Sequence, residues 1–215
     1  MTQRLNMREH QYQGRLITFC GLDGCGKTTM MNRLISELEK EYPIFVTKQP
    51  TSIVRNSEIF RNYMDSSEHS AFDYRSLSLL AASDRLQHVN KIIEPKMQNG
   101  EIILSDRYFY SCLANLRARG YKKDKWIYEI AESVVKPDLA FFFDLPIEEA
   151  VARVRLRPKE KDRYIDMELQ YRLRKEYLEI CRANGGILVS TTQTEEECYE
   201  IVKNKVKEIL KNESL

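Results

Sequence analysis

The chain has 215 residues, with 34 lysines and arginines against 32 aspartates and glutamates, a formal charge of +2. That length allows one large α/β domain with a substantial core, and so small a balance makes no case for bulk attraction to nucleic acid or to a membrane surface. Its 5 cysteines show no Cys-x-x-Cys spacing, so they read neither as a disulfide framework nor as a zinc site, and they point to a reducing cytoplasm.

Residues 1–14 are polar and lack the apolar core of a secretory signal, so they read as a poorly ordered lead-in. No apolar run is long enough to span a bilayer, and no repeat appears. Leu16-Ile17-Thr18-Phe19-Cys20 predicts a buried strand, and from Met30 to Leu38 the apolar residues recur at helical spacing. Pro43 breaks that helix, and Ile44-Phe45-Val46-Thr47 predicts a second strand, with a polar turn beginning at Lys48. Helices are expected over 53–63 and 73–98, the second with Leu77, Leu80, Ala81, Asp84 and His88 along one face and Asn99-Gly100 as its stop. Ile102-Ile103-Leu104 predicts a third strand, helices follow over 111–119 and 124–134, and Leu139 to Phe143 predicts a fourth strand. Pro146 opens a helix that Pro158 ends, another runs over 165–183, Ile187 to Ser190 predicts a fifth strand, and Thr194 with Glu197 caps a last helix to about 210. Continuously apolar strands alternating with helices predict a doubly wound α/β fold: a five-stranded parallel sheet covered on both faces, in one domain over 15–211.

Between the first strand and the first helix lies Gly21-Leu22-Asp23-Gly24-Cys25-Gly26-Lys27-Thr28-Thr29. Strand, glycine-rich loop and helix form the context of a phosphate-binding loop. Gly21, Gly24 and Gly26 allow successive N–H groups to point at one anion, and the helix N-terminus adds partial positive charge. Lys27 then reaches the terminal phosphates of a nucleoside triphosphate, and the Thr28 hydroxyl ligates magnesium. Ile102 to Leu104 leads through Ser105 to Asp106, the pattern of a strand that holds the metal opposite such a loop. Phe141-Phe142-Phe143-Asp144 fits the same pattern, so two acids compete; Asp106 is favoured because Arg107 beside it adds a phosphate-binding fork. Ligands of such folds lie beyond the carboxyl ends of the strands, where Lys48, Asp106, Arg107 and Asp144 all fall. Arg153, Arg155, Arg157, Lys159, Lys161 and Arg163 form a dense basic segment. It reads as a solvated surface or as a lid, over about 155–164, that closes on ATP and brings arginines to the transferring phosphoryl group.

These residues resemble the thymidylate kinases over 15–210. The resemblance is carried by Phe19 to Thr29, by Leu79 to Val89, by Asp106-Arg107-Tyr108 with Ser111, by Lys136 to Leu139 with Asp144-Leu145-Pro146, and by Asp162-Arg163. It implies ATP and Mg2+ as requirements, transfer of a phosphoryl group to dTMP, and commonly a homodimer. By position, Gly21, Asp23, Gly24, Cys25, Gly26, Lys27, Thr28 and Thr29 would hold ATP, with Ser190 and Thr191 near adenine. Asp23 would also hold the sugar 3′-hydroxyl, Arg85 the base and Arg107 the acceptor phosphate, with Lys48, Tyr108 and Ser111 on the acceptor side. Lys27 and the lid arginines Arg153, Arg157 and Arg163 would be catalytic, and Thr28 and Asp106 would hold the metal.

The chain departs from that pattern in its acceptor half. Ala81 stands where the family usually has a phenylalanine that stacks on thymine, and Ala114-Asn115-Leu116-Arg117 stands in place of Ala-Tyr-Gln-Gly. The second strand runs into Lys48-Gln49-Pro50-Thr51 rather than an arginine-bearing or Glu-Pro-Gly turn. Losing one stack costs a base about 1–3 kcal/mol unless another ring replaces it; Phe72, Tyr74, Tyr108 and Phe109 are the candidate replacements. A kinase for another nucleotide, nucleoside or related small acceptor is therefore the alternative, and a non-catalytic nucleotide switch a more distant one. Asn90-Lys91-Ile92-Ile93 lacks the acid of a guanine-reading motif.

Overall fold

A computed structural model describes residues 3–65, 73–162 and 164–211. Its strands are β1 (Arg15–Gly21), β2 (Ile44–Lys48), β3 (Ile102–Asp106), β4 (Leu139–Asp144) and β5 (Ile187–Ser190). They form one sheet in the order β2-β3-β1-β4-β5, and every pairing is parallel. The helices are α1 (Lys27–Leu38), α2 (Ser52–Arg55), α3 (Glu58–Asp65), α4 (Tyr74–His88), α5 (Glu94–Gln98), α6 (Phe109–Ala118), α7 (Trp126–Ala131), α8 (Ile147–Arg155), α9 (Met167–Ala183) and α10 (Glu195–Lys211). Among the described residues no helix is long and apolar enough to cross a membrane.

Strand alternation assigns each residue to one of two cores. Leu16, Cys20, Ile103 and Phe142 point to the side of α4 to α7 and α9. Ile17, Phe19, Leu104, Phe141, Phe143 and Val189 point to the side of α1 and α10. Each large apolar side chain fully buried this way contributes about 1.5–3 kcal/mol, so the central strands β3, β1 and β4 form a rigid base for whatever their carboxyl ends carry.

Three expectations are corrected. The stretch 3–14 is packed: Leu5 and Met7 are buried in the core, the Arg8 N–H donates to the Val134 carbonyl, and Arg8 and Tyr12 hold Glu94. Polar composition hid these two apolar anchors. The helix expected over 53–63 is two helices, because the Ser57 hydroxyl accepts from the Phe60 N–H and starts a new one. The run expected over 73–98 is helical from Tyr74 to Gln98, with Asp73 as its extended cap, but widens into a π turn over Val89–Ile93. Pro95 lacks an N–H and its ring clashes with the carbonyl one turn back, and a wide turn relieves both. At the other end of the chain, the Thr194 hydroxyl accepts from the Glu197 N–H while the Glu197 carboxylate accepts from the Thr194 N–H, the reciprocal cap that the sequence predicts.

Candidate active site

The loop after β1 bends back on itself because two of its residues adopt left-handed backbone. Gly24 has φ 84°, and a Cβ there would meet the Ala150 carbonyl oxygen at 2.2 Å, so no other residue fits. Gly26 has φ 89° and opens α1. Lys27 is buried, and its Nζ donates to the Leu22 carbonyl at 2.6 Å, a carbonyl that also accepts from the Cys25 thiol at 2.9 Å. Cys25 is thus a packing residue of the loop. Thr28 and Thr29 are exposed at the start of α1, where a helix N-terminus favours an anion. Thr191 packs against the same loop, its methyl 3.6 Å from where a Gly26 Cβ would lie, and its hydroxyl donates to the Asp144 carbonyl. Ser190, beside it at the end of β5, exchanges a hydrogen bond with the Thr192 hydroxyl.

Opposite the loop, parallel register sets Lys48 beside Asp106, and Lys48 Nζ lies 2.8 Å from Asp106 Oδ2. Asp106 Oδ1 is buried and has no partner. Burial pushes this carboxyl up, but Arg107, Lys27 and Lys48 outweigh it and hold its pKa below the ordinary carboxylate value. An ionised, buried oxygen left without a donor fits a cation. Asp144, the competing acid, is gripped on both oxygens by Arg174, at 2.7 and 2.8 Å. Among the described residues no cluster of three or more His, Cys, Asp or Glu forms a metal cage. A magnesium ion held by one or two protein oxygens and by phosphate needs none.

Arg107 has φ 71°, an uncommon value for a residue with a Cβ. Its Nη1 donates to the Gly21 carbonyl and to the Tyr177 hydroxyl, both at 3.0 Å, and its Nη2 to Asp23 Oδ1 at 2.6 Å. Burial opposes its charge, yet Tyr177, Asp23 and Asp106 raise its pKa above the ordinary guanidinium value. The Tyr177 hydroxyl in turn donates to Ser111 Oγ at 3.0 Å. The turn at Arg107 sends that side chain into the crevice and the next two into the core. Tyr108 is therefore not on the acceptor side: it is fully buried and its hydroxyl donates to the Val135 carbonyl. Phe109 is equally buried, and Phe72 lies outside the described residues.

Beside this cluster opens a cavity of about 330 Å³ lined by Asp23, Lys48, Arg55, Arg85, Arg107, Ser111, Asn115 and Arg119, with Ala81, Phe60, Tyr63, Tyr74 and Tyr164 among its apolar lining. Among the described residues, five cationic side chains, Lys48, Arg55, Arg85, Arg107 and Arg119, face two carboxylates, Asp23 and Asp166. The excess suits an anionic ligand. The buried Nε atoms of Arg55 and Arg85 have no partner. Asp84 accepts from the Thr51 N–H at 2.7 Å and from its hydroxyl, and buried His88 bonds Thr47 and Gln49 at 3.0 and 3.1 Å. Burial holds the His88 pKa below the usual imidazole value, so a neutral ring and a carboxylate together fix the turn that carries Lys48 and Pro50 to the cavity.

The basic segment lies on the far side of the loop. Arg153 donates to the Thr191 carbonyl at 3.4 Å, so it stands beside the last strand rather than over the loop. Arg155 closes the turn by donating to the carbonyls of Glu160 and Lys161. Arg157 is exposed and has no side-chain partner among the described residues; Arg163 lies outside them. Sequence reasoning did not single out Tyr177, Arg174, Arg55 or Arg119. Arg174 and Tyr177 stand three apart on one face of α9, a spacing that signals a shared target only once the neighbouring strand ends are known.

The sequence profile of the thymidylate kinase family matches residues 19–206. A protein of Pyrococcus horikoshii described as a probable thymidylate kinase is 37% identical over 171 residues, covering 78% of this chain and 83% of that protein. A thymidylate kinase of Onion yellows phytoplasma is 32% identical over 206 residues, 92% of this chain and 99% of its own. One from Prochlorococcus marinus is 29% identical over 210 residues, 93% and 99% of the two chains.

Proposed function

This chain belongs to the thymidylate kinase family, and from that premise we propose that it transfers the γ-phosphoryl group of ATP to dTMP, forming dTDP and ADP. One observation carries the reading: a phosphate-type loop and a cation-rich cavity share the Asp23–Arg107 pair as their common wall. Phosphoryl transfer asks little covalent chemistry of the protein; it asks for in-line placement and charge neutralisation. The loop amides and Lys27 hold the donor phosphates, with Gly21, Gly24, Cys25, Gly26 and Thr29 shaping the cradle and Ser190 and Thr191 beside the adenine. Thr28 and Asp106 would hold Mg2+, which would supply charge neutralisation for the phosphates. Lys48, Arg107 and Ser111 steady the acceptor phosphate, Asp23 the sugar, and Arg85 the edge of the base. Arg157 and Arg163 close over the γ-phosphoryl, while Arg153 supports the adenine side. An ionised phosphate oxygen is the nucleophile and needs no protein base.

The full reading includes a homodimer, for which exposed Leu79 and Ile92 offer apolar surface, and a cytoplasmic setting, with which 5 free, buried cysteines agree. Ala81 and Asn115 in the cavity wall favour a second reading, the same reaction on another small nucleotide. A coupled ADP-release assay with ATP, Mg2+ and a panel of nucleoside monophosphates separates them. Highest kcat/KM with dTMP supports the proposal, preference for another acceptor moves it to the second reading, and ADP release with none refutes both.

A further inference from the structure

We propose that the planar base of the acceptor nucleotide stacks on the guanidinium of Arg119, with Tyr74 as its backing. This deepens the kinase reading and rests on it. The α4 wall of the cavity presents Ala81, whose methyl group offers no π surface. Seven residues earlier, on the same face of α4, stands Tyr74. Arg119 Cζ lies 3.9 Å from the Tyr74 ring centre and 5.5 Å from that of Tyr63, so the guanidinium is laid over Tyr74.

The edges of the guanidinium are tied down. Arg119 Nε donates to the Tyr63 hydroxyl at 2.8 Å, and Nη1 donates to the Asn115 backbone carbonyl at 3.1 Å and to Asn115 Oδ1 at 2.9 Å. Asn115 is itself held, its Nδ2 donating to the Ser111 carbonyl at 2.9 Å. No carboxylate pairs with this half-buried cation among the described residues. A planar cation fixed at its edges, backed by a ring on one face and lining a cavity, leaves its other face to a ligand. Nucleobases stack on such planes. Arg85 completes the arrangement: its Nη1 is spent on the Ala81 carbonyl at 2.8 Å, and its buried Nε remains to bond the edge of the same base.

The test uses the full chain with Arg119→Met, which keeps length and apolar bulk but removes plane and charge, and Arg119→Lys, which keeps the charge alone. Calorimetry compares dTMP with deoxyribose 5-phosphate, the same ligand without its base, alongside steady-state kinetics. Both variants are expected to weaken dTMP roughly 5- to 150-fold, the span of one lost base stack, with deoxyribose 5-phosphate and ATP unchanged. Adding Ala81→Phe to Arg119→Met restores part of the dTMP affinity by supplying a ring from the α4 wall. Wild-type dTMP affinity in Arg119→Met, equal losses for both ligands, or full affinity in Arg119→Lys would overturn the stack while leaving the kinase reading intact. A wild-type enzyme that releases no ADP with any monophosphate would instead overturn the kinase reading.

Discussion

Replacing Glu176 by alanine is expected to destabilise the fold by several kcal/mol although the residue touches no substrate. Glu176 on α9 is 2% exposed and accepts from Arg117 Nε on α6 at 2.7 Å; the Arg117 side chain is 8% exposed. Lys122 reaches the other Glu176 oxygen at 2.8 Å, and Glu179 stands 3.7 Å from Arg117 Nη2. Removing one partner of a buried pair costs about 3–5 kcal/mol because the other charge stays buried. Lys122 is half exposed, so its contact adds no more than about 1 kcal/mol. Glu179 moves closer and recovers part, which sets the expectation near the lower end, about 3 kcal/mol. At about 2–4 °C per kcal/mol for a chain of this size, the melting midpoint falls by roughly 6–12 °C. Urea titration of wild type, Glu176→Ala and the double variant Arg117→Met/Glu176→Leu measures it, the last recovering most of the loss because an apolar pair of similar volume is often neutral or better. A loss below about 1 kcal/mol in Glu176→Ala, or a double variant no more stable than the single, would refute the claim that an uncompensated buried charge is the cost.

Lys27→Ala and Arg157→Ala are each expected to lower kcat by orders of magnitude, the arginine by about 10³–10⁵ if it reaches the transferring group, with unfolding midpoints unchanged; wild-type turnover in either removes that residue from the mechanism. Tyr177→Phe deletes the hydroxyl shared by Arg107 and Ser111 and is expected to raise the acceptor KM by about tenfold, the worth of one hydrogen bond to a charged group, while the ATP KM stays put; an unchanged acceptor KM would show that Arg107 needs no such support. Glu37 accepts from the Tyr199 hydroxyl, is opposed by partial burial, and is further helped by Lys207 and Lys203, so its pKa falls from 4.5 to about 2. A lowered carboxylate adds stability above the unfolded value that disappears as pH drops through the folded one. The stability difference between wild type and Glu37→Gln is therefore expected to be constant above pH 4.5 and to vanish toward pH 2, and a difference independent of pH across that window would contradict the assignment.

Strand positions and the two-faced sheet are legible because they need only local chemistry: a short apolar run such as Phe141 to Phe143 has nowhere to go but a core. The loop from Gly21 to Thr29 is legible because each residue type answers a backbone or charge demand on the spot. The order of strands is less visible, yet once the sheet is parallel, Lys48, Asp106 and the phosphate-type loop must meet at one edge. What stays hidden is contact between distant helices. Nothing near Arg119 in sequence reveals Tyr63 and Tyr74, and the polar stretch before Arg15 conceals Leu5 and Met7 until the core that receives them exists. Tyr108 misleads for the same reason: it adjoins Arg107 in sequence, but the left-handed turn at Arg107 parts their side chains.

Three cations of the crevice share one arrangement, and it bears on how the site meets phosphate. Lys27 rests on the Leu22 carbonyl, Lys48 on Asp106, and Arg107 on Asp23, Gly21 and Tyr177. Each is held by a protein oxygen where an anionic ligand would otherwise offer one. Without such acceptors, buried Lys27 would carry the penalty of an uncompensated charge, several kcal/mol, and the part-buried Arg107 a smaller one. With them, binding becomes an exchange of partners rather than a first pairing, and part of the attraction for phosphate is spent on release. The exchange has a consequence for Asp23 and Asp106. On the proposed mechanism Arg107 and Lys48 would turn toward phosphate, these carboxylates would lose their cations together, and each would favour a new partner: a sugar hydroxyl for Asp23, a magnesium ion for the already orphaned oxygen of Asp106. Acceptor and metal would thereby be coupled through these side chains, so dTMP affinity is expected to rise when Mg2+ is present with a non-hydrolysable ATP analogue and to lose that dependence in Asp106→Asn. Equal Mg2+ dependence in wild type and Asp106→Asn would show the two ligands to be held independently.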